Sequence, residues 1–234
     1  MANREDVLFY KIKQKSIVLR HVAEVGVYLP QTSNIGAFAA EGIRSTFVEP
    51  DPSSVKATKL YFGNMDNVTI YPVAVFDQSG SVELVQRKAS TYLKVLDSSP
   101  AIVNDEYEID DNDTFVVDAV TFDEIDDGTI DLLSIDIEGG EWFVIKHMVS
   151  RPLILSIETH GAMYTNPYIN DISKWIDENE YVIWYMDSSD TVYIKRDLFN
   201  ASFLDNVKLK FIKLKLGYKK YRKTIKRKIK NIFK

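Results

Sequence analysis

The chain has 234 residues, 45% hydrophobic and 12% aromatic, enough for one full core and most simply a single domain with an appendage. It has no cysteine, which excludes disulfides, thiolate zinc sites and cysteine nucleophiles, and no apolar run near the roughly 18 residues of a membrane span. The net charge of −5 hides a division: residues 206–234 hold 13 Lys and Arg and no acid, whereas residues 1–205 hold 16 basic residues against all 34 acidic ones, about −18 against +13. We therefore divide the sequence into a body, residues 1–200, and a basic tail, residues 201–234. The stretch Met1 to Lys15 is charged throughout and lacks the apolar region of a secretory signal, so a cytoplasmic protein is the expectation.

Strand-like and helix-like segments alternate along the body. Val22 to Val27 is apolar and β-rich, Thr32 to Glu41 reads as a helix, and Ser45 to Val48 returns to strand, a βαβ beginning. Asp51 fits the N-cap of a second helix and Pro52 its first position, before a strand over Val68 to Phe76. Gly80 turns the chain into Val82 to Val85, and residues 90–113 are irregular. Strands then follow at Phe115 to Val120 and Ile130 to Ile137, a helix at Trp142 to Met148, and a strand at Leu153 to Thr159. A helix at Asp171 to Asn179 precedes strands at Tyr181 to Met186 and Thr191 to Lys195. Asp187-Ser-Ser-Asp190 between them reads as a hairpin connection, which makes the last pair antiparallel. The expected fold is α/β and Rossmann-like, a mostly parallel sheet ending in an antiparallel hairpin, as in class I methyltransferases, plus a basic C-terminal helix.

Ligands of open α/β sheets bind beyond the carboxyl ends of the strands, and the chemistry-bearing residues cluster there. Glu24-Val-Gly26 closes the first strand, and Glu49 ends the second, where an acid can accept ribose hydroxyls. The full Gly-x-Gly-x-x-Gly run is missing, which disfavours a nicotinamide dehydrogenase. In Ile130-Asp-Leu-Leu-Ser-Ile-Asp136-Ile-Glu138-Gly-Gly-Glu141, an apolar strand delivers Asp136 and Glu138 to its own end. Burying a carboxylate there is costly without a partner, so Asp136 is the leading functional candidate. Glu138 is divided between a catalytic base and an acid favoured by the following helix N-terminus. Glu158 and His160 end the next strand and, two residues apart, are expected to face the same way. His21, His147 and Trp142 read as structural and Glu141 as a solvated or helix-start residue, while Tyr164, Asn166 and Tyr168 either line an acceptor pocket or make ordinary turns.

These motifs, in this order, resemble the FkbM family of methyltransferases over about Val22 to His160. The resemblance rests on Glu24-Val-Gly26, Val48-Glu49-Pro50, Val73-Ala74-Val75 followed by Gly80, Thr121-Phe-Asp123-Glu-Ile125, the Asp136 strand with Glu138-Gly139, and Ile157-Glu158-Thr-His160. The family usually has Asp at the position of Glu24, followed closely by Gly-Ala-Asn-Ile-Gly. Here Gly26-Val-Tyr-Leu-Pro30 intervenes, and Asn34-Ile-Gly36 is read as the displaced end of that motif. The resemblance implies S-adenosylmethionine as methyl donor and a hydroxyl acceptor, commonly on a sugar or a secondary metabolite. Glu24, Gly26, Asn34, Glu49, Ala74, Val75 and Asp136 are then the expected cofactor contacts.

Methyl transfer to an alcohol needs an aligned oxygen and a way to remove its proton. Two solutions fit the residues: Glu138, Glu158 or His160 acts as general base, or Asp136, Glu158 and His160 hold Mg²⁺ or Mn²⁺. An O-methyltransferase for a glycan or polysaccharide is the leading reading. A nucleic-acid methyltransferase and a non-catalytic Rossmann-like binding domain are the alternatives.

Tyr218, Tyr221, Ile225, Ile229 and Ile232 recur at helical spacing in the tail, with Phe233 adjoining and Lys or Arg at most other positions, which makes a basic amphipathic helix. Its expected partner is an anionic membrane surface, here the inner membrane face. Docking on the acidic body and contact with nucleic acid are the other readings.

Overall fold

The computed structural model describes residues 6–87, 90–96, 98–105, 110–161, 163–200 and 203–232, so Phe233 lies outside it. The strands are β1 (His21–Val25), β2 (Arg44–Val48), β3 (Val68–Tyr71), β4 (Ala74–Val75), β5 (Gly80–Arg87), β6 (Ser90–Leu93), β7 (Thr114–Val120), β8 (Leu132–Ile135), β9 (Ile154–Glu158), β10 (Tyr181–Met186) and β11 (Asp190–Lys195). The helices are α1 (Asp6–Gln14), α2 (Gly36–Ala40), α3 (Pro52–Phe62), α4 (Pro100–Asp105), α5 (Glu141–Lys146), α6 (Ile169–Glu178) and α7 (Phe203–Ile232).

Seven strands form the main sheet in the order β3-β2-β1-β8-β9-β11-β10. The first five run parallel to their neighbours, and β11 enters antiparallel between β9 and β10. This is the class I methyltransferase architecture, with the order of strands, not their direction, reversing between the parallel neighbours β1 and β8. Side chains alternate across each strand, so both faces of an internal strand need cover. Leu132 and Ile154 pack with Leu8 and Ile12 of α1, Phe38 and Phe62 on one face. Leu133, Ile135, Leu155 and Ile157 pack on the other with Val144 and Ile145 of α5 and Ile172 and Ile176 of α6. Helix α1 arises in the stretch read above only as charged: Leu8 and Ile12, four apart, share its buried face, while Lys11 extends over the Tyr185 ring at 4.5 Å.

Three local expectations need correction. The helix expected over Thr32 to Glu41 is a 3-10 turn, Pro30–Thr32, followed by the short α2, because Ser33 and Asn34 bond to Glu24 instead of continuing a helix. The strand expected over Val68 to Phe76 breaks at Pro72, which has no N–H for the ladder. The next residues, Ala74 and Val75, leave the main sheet and pair with Ala119 and Val120. The strands expected at Val82 to Val85 and Phe115 to Val120 therefore belong to a second sheet, ordered β4-β7-β5-β6. Within the region read as irregular lie β6 and α4. The expected cap of α3 forms, with Asp51 accepting from the Ser54 N–H at 2.8 Å. The last hairpin is closed by Asp187 Oδ1, which accepts from the N–H groups of Ser189 and Asp190 at 2.9 Å.

Gly26 fixes the junction of β1 and β8. Its N–H donates to the Val48 carbonyl at 2.9 Å, and the Asp136 N–H donates to the Val25 carbonyl at 2.9 Å. With φ of +89° it occupies the left-handed region, and a Cβ there would lie 1.8 Å from the Asp136 carbonyl oxygen. Gly26→Ala combines left-handed strain with overpacking. It should cost about 3 kcal/mol or more in a urea unfolding titration. A loss below about 1 kcal/mol would mean that the junction tolerates a side chain.

Candidate active site

A cavity of about 310 Å³ opens at the carboxyl edge of the main sheet. Its floor is built by Glu24, Gly26, Glu49 and Asp136 at strand ends, and its roof by Leu84, Thr91, Tyr92 and Leu93 of the second sheet. Ala74 and Val75 close one side, Asn34 another, and Asp187, Ser189 and Asp190 of the hairpin a third. All seven residues expected at a cofactor thus line this cavity.

Their hydrogen bonds refine the expected roles. Glu24 is buried and accepts from the Ser33 hydroxyl and, at 2.9 Å, from the Asn34 N–H. Asn34 in turn donates to Ser134 Oγ at 3.0 Å. The displaced motif end thus returns to β1, and Glu24 orders the loop that the insertion lengthened. Burial pushes the Glu24 carboxyl up to about 7, with Ser33 and Asn34 opposing the rise. Glu49 accepts from Val27 N–H at 2.8 Å, Tyr28 N–H at 3.1 Å and Asp51 N–H at 2.8 Å. These occupy three of roughly four lone-pair sites on a carboxylate, leaving Glu49 capacity for one ribose hydroxyl rather than two.

Beside the cavity three carboxyl groups converge. One oxygen each of Asp136, Glu141 and Glu158 lies within 4.8 Å of the others. Glu141 is fully buried, so of its two readings the solvated one falls, while the helix-start one holds at the first turn of α5. Its Oε1 accepts from Ile137 N–H and Gly139 N–H at 3.1 Å, and its Oε2 accepts from Asn166. Burial, and then the Glu138 charge, hold the Glu141 carboxyl up at about 7, against its backbone hydrogen bonds. Burial raises Asp136 well above the ordinary carboxylate range, followed by Glu138, Asp190, Glu141 and Glu24. Glu158 is 7% exposed, its Oε2 has no hydrogen-bond partner among the described residues, and burial followed by the Asp136 and Glu138 charges raises it strongly. The Tyr164 hydroxyl, equally buried and without a hydrogen-bond partner among the described residues, is raised by burial and by the same carboxylates.

His160 stands outside this group. Strand β9 ends at Glu158, and the Thr159 and His160 N–H groups both donate to the Ser189 carbonyl, at 3.1 and 3.2 Å, so the expected alternation stops. The ring contacts Thr159 Oγ1 at 2.9 Å and the Asp187 carbonyl at 3.2 Å. His21, bonded to Thr129 and Thr46, is structural as read. Glu138 lines the cavity with φ of +57°, ahead of α5, and is therefore not the helix-start acid; Glu141 takes that place. Asp190 was not singled out from sequence. Because β11 runs opposite to its neighbours, the start of that strand reaches the site edge, opposite Glu158 in register.

A family model described as "Methyltransferase FkbM domain" matches residues 22–183. The chain belongs to the FkbM methyltransferase family. Comparison with curated protein sequences returns no match. Among solved structures, this FkbM chain is similar to an O-methyltransferase from Bacillus cereus in complex with S-adenosylhomocysteine, at 12% identity, covering 82% of this chain and 81% of that one with a TM-score of 0.40. It is also similar to the ribosomal protein L11 methylase of Lactobacillus delbrueckii subsp. bulgaricus (11% identity, 84% and 81% coverage, TM-score 0.41). A third is the Podospora anserina methyltransferase bound to S-adenosylhomocysteine (10% identity, 84% and 80% coverage, TM-score 0.39). Membership of this family makes the domain an S-adenosylmethionine-dependent methyltransferase.

Because Glu24 is raised from an ordinary 4.5 to about 7, the folded protein holds a proton that the unfolded chain releases between those values. Its contribution is complete below about pH 4.5 and is lost as pH rises through 7, on the order of 3 kcal/mol. Glu24→Gln removes this loss. Urea titrations of the cofactor-free protein should show the variant gaining that amount on wild type between pH 4.5 and pH 8. A constant difference would mean that Glu24 stays ionised throughout.

Proposed function

We propose that the chain is an O-methyltransferase acting on a hydroxyl of a neutral sugar in a glycan or polysaccharide. The observation that supports this most directly is the pairing of Asp136 with Glu158, whose buried Oε2 has no partner among the described residues, beside the cofactor cavity. S-adenosylmethionine supplies the methyl group on a sulfonium and leaves as a neutral thioether. The transfer breaks a carbon–sulfur bond, forms a carbon–oxygen bond, and passes the hydroxyl proton to the carboxylate pair. The cationic sulfonium and one carboxylate are neutralised together, so the net charge of the cavity does not change. Raised carboxyls suit this step, since a carboxylate whose charge is disfavoured by burial accepts a proton more readily than an ordinary one does. Glu138, Asp187 and Asp190 at the cavity supply acceptors for sugar hydroxyls. The same charges repel phosphodiesters, which argues against a nucleic-acid substrate.

Asp136, Glu141 and Glu158 also fit a divalent cation: their oxygens converge, and an all-oxygen set suits Mg²⁺ or Mn²⁺. These three residues would hold it, with His160 excluded, and the ion would lower the pKa of the hydroxyl.

Calorimetry should show S-adenosylmethionine binding and no NAD binding; NAD binding alone would overturn the assignment. Asp136→Asn and Glu158→Gln should each lower methyl transfer to a polysaccharide acceptor about 100-fold or more. Glu158→Gln should keep cofactor affinity within about threefold, since Glu158 stands outside the cofactor cavity. Full turnover in Glu158→Gln would remove the carboxylate from the reaction. Electron paramagnetic resonance of Mn²⁺ separates the two ways of handling the proton. Binding lost in Glu158→Gln assigns the cation, and no binding with full activity in chelator assigns the proton to the carboxylates alone.

A further inference from the structure

Helix α7 spans 30 residues and lies along β10. At about 100° per residue its side chains separate into faces. Leu209, Ile212 and Leu216 are half-buried on one side. Farther along the same side, Lys220 Nζ donates to Thr165 Oγ1 at 2.8 Å and Arg227 Nη2 to the Val103 carbonyl at 2.9 Å. The body therefore holds one face of the helix along most of its length. The opposite face is apolar too, and it is open: Phe211 is 71% exposed, Leu214 73%, Tyr218 62% and Tyr221 64%, with Leu204 and Ile225 extending the stripe at both ends.

Stripe spacings alternate between three and four residues, a geometry that suits either a second helix or a flat apolar boundary. Charge decides between them. Lys208, Lys215 and Arg222 flank the stripe on one side and Lys210 and Lys213 on the other, while Asp205 is the sole acid between residues 203 and 232. Two copies pairing along this face would set cation against cation. A surface of anionic lipid headgroups supplies the missing sign, and its acyl boundary takes the aromatic and aliphatic stripe. Among the described residues no helix is long and apolar enough to cross a membrane, and the 30 residues of α7 offer about 45 Å of length.

We infer that the outer face of α7 is a docking surface for an anionic lipid bilayer and holds the methyltransferase body at the membrane by a helix the body itself positions. This is independent of which acceptor is methylated.

The test is co-sedimentation of the full chain with vesicles of phosphatidylcholine alone and of phosphatidylcholine with about one-third phosphatidylglycerol. Binding is expected to the anionic vesicles, at least about tenfold stronger than to the neutral ones, and to weaken with added salt. Replacing Phe211, Leu214, Tyr218 and Tyr221 together with Gln, a good helix former, should cut it at least about tenfold while far-UV circular dichroism and S-adenosylmethionine affinity stay unchanged. Equal binding to both vesicle types, or by wild type and variant, would overturn the inference. So would a dimer by light scattering that the variant lacks, in the absence of vesicle binding, which assigns the stripe to a second copy. Tighter binding to an RNA oligonucleotide than to vesicles would overturn it as well.

Discussion

Carboxyl groups from four neighbouring strands, or from the residues just beyond them, meet at one end of an apolar sheet: Glu24, Glu49, Asp136 and Glu158. Gathering like charges where water is scarce is unfavourable unless each group is hydrogen-bonded, protonated or paired with a cation. The local architecture answers that demand group by group. Backbone N–H groups of the β1 loop converge on Glu49, the Ser33–Asn34 turn converges on Glu24, and the turn into α5 converges on Glu141. Glu158 is answered least, since its Oε2 has no hydrogen-bond partner among the described residues, and it lies beside Asp136. A carboxylate oxygen left in that state is chemically disposed to take up a proton or a cation.

This arrangement also separates residues that shape the site from residues that act in it. Glu24 and Glu141 are acids in a functional cavity or next to it, yet most of their acceptor capacity is spent on the protein itself. They hold loops in place. Glu138, by contrast, occupies a backbone conformation that favours glycine, and strain of about 1–2 kcal/mol kept at a cavity wall marks a side chain retained for what it touches.

The main sheet was legible because its strands carry long apolar runs between recognisable caps. Asp51-Pro52 opened α3 as expected, and the Asp187–Asp190 hairpin formed where turn residues stood between two β-rich segments. Contacts made at a distance were not legible. Nothing local to Val82 or Phe115 says which sheet it joins; that choice follows from Pro72 ending β3. Asp190 falls outside a rule that looks to carboxyl ends of strands, because the reversed strand β11 brings its amino end to the same edge. His160 was expected beside Glu158 because the strand pattern was extended two residues past the point where the ladder stops. Helix α1 was hidden by its lysines, since two buried side chains among many charges make a faint pattern.

The break at Pro72 has a mechanical side. Everything between β3 and β8 forms an excursion that leaves the main sheet after Tyr71, builds the cavity roof, and returns at Leu132. The cavity floor is set by strands that the excursion does not interrupt. A change within this excursion, at Leu84 or Tyr92 for example, can therefore reshape the roof of the cavity without breaking the ladders that hold Glu24, Glu49 and Asp136 in register.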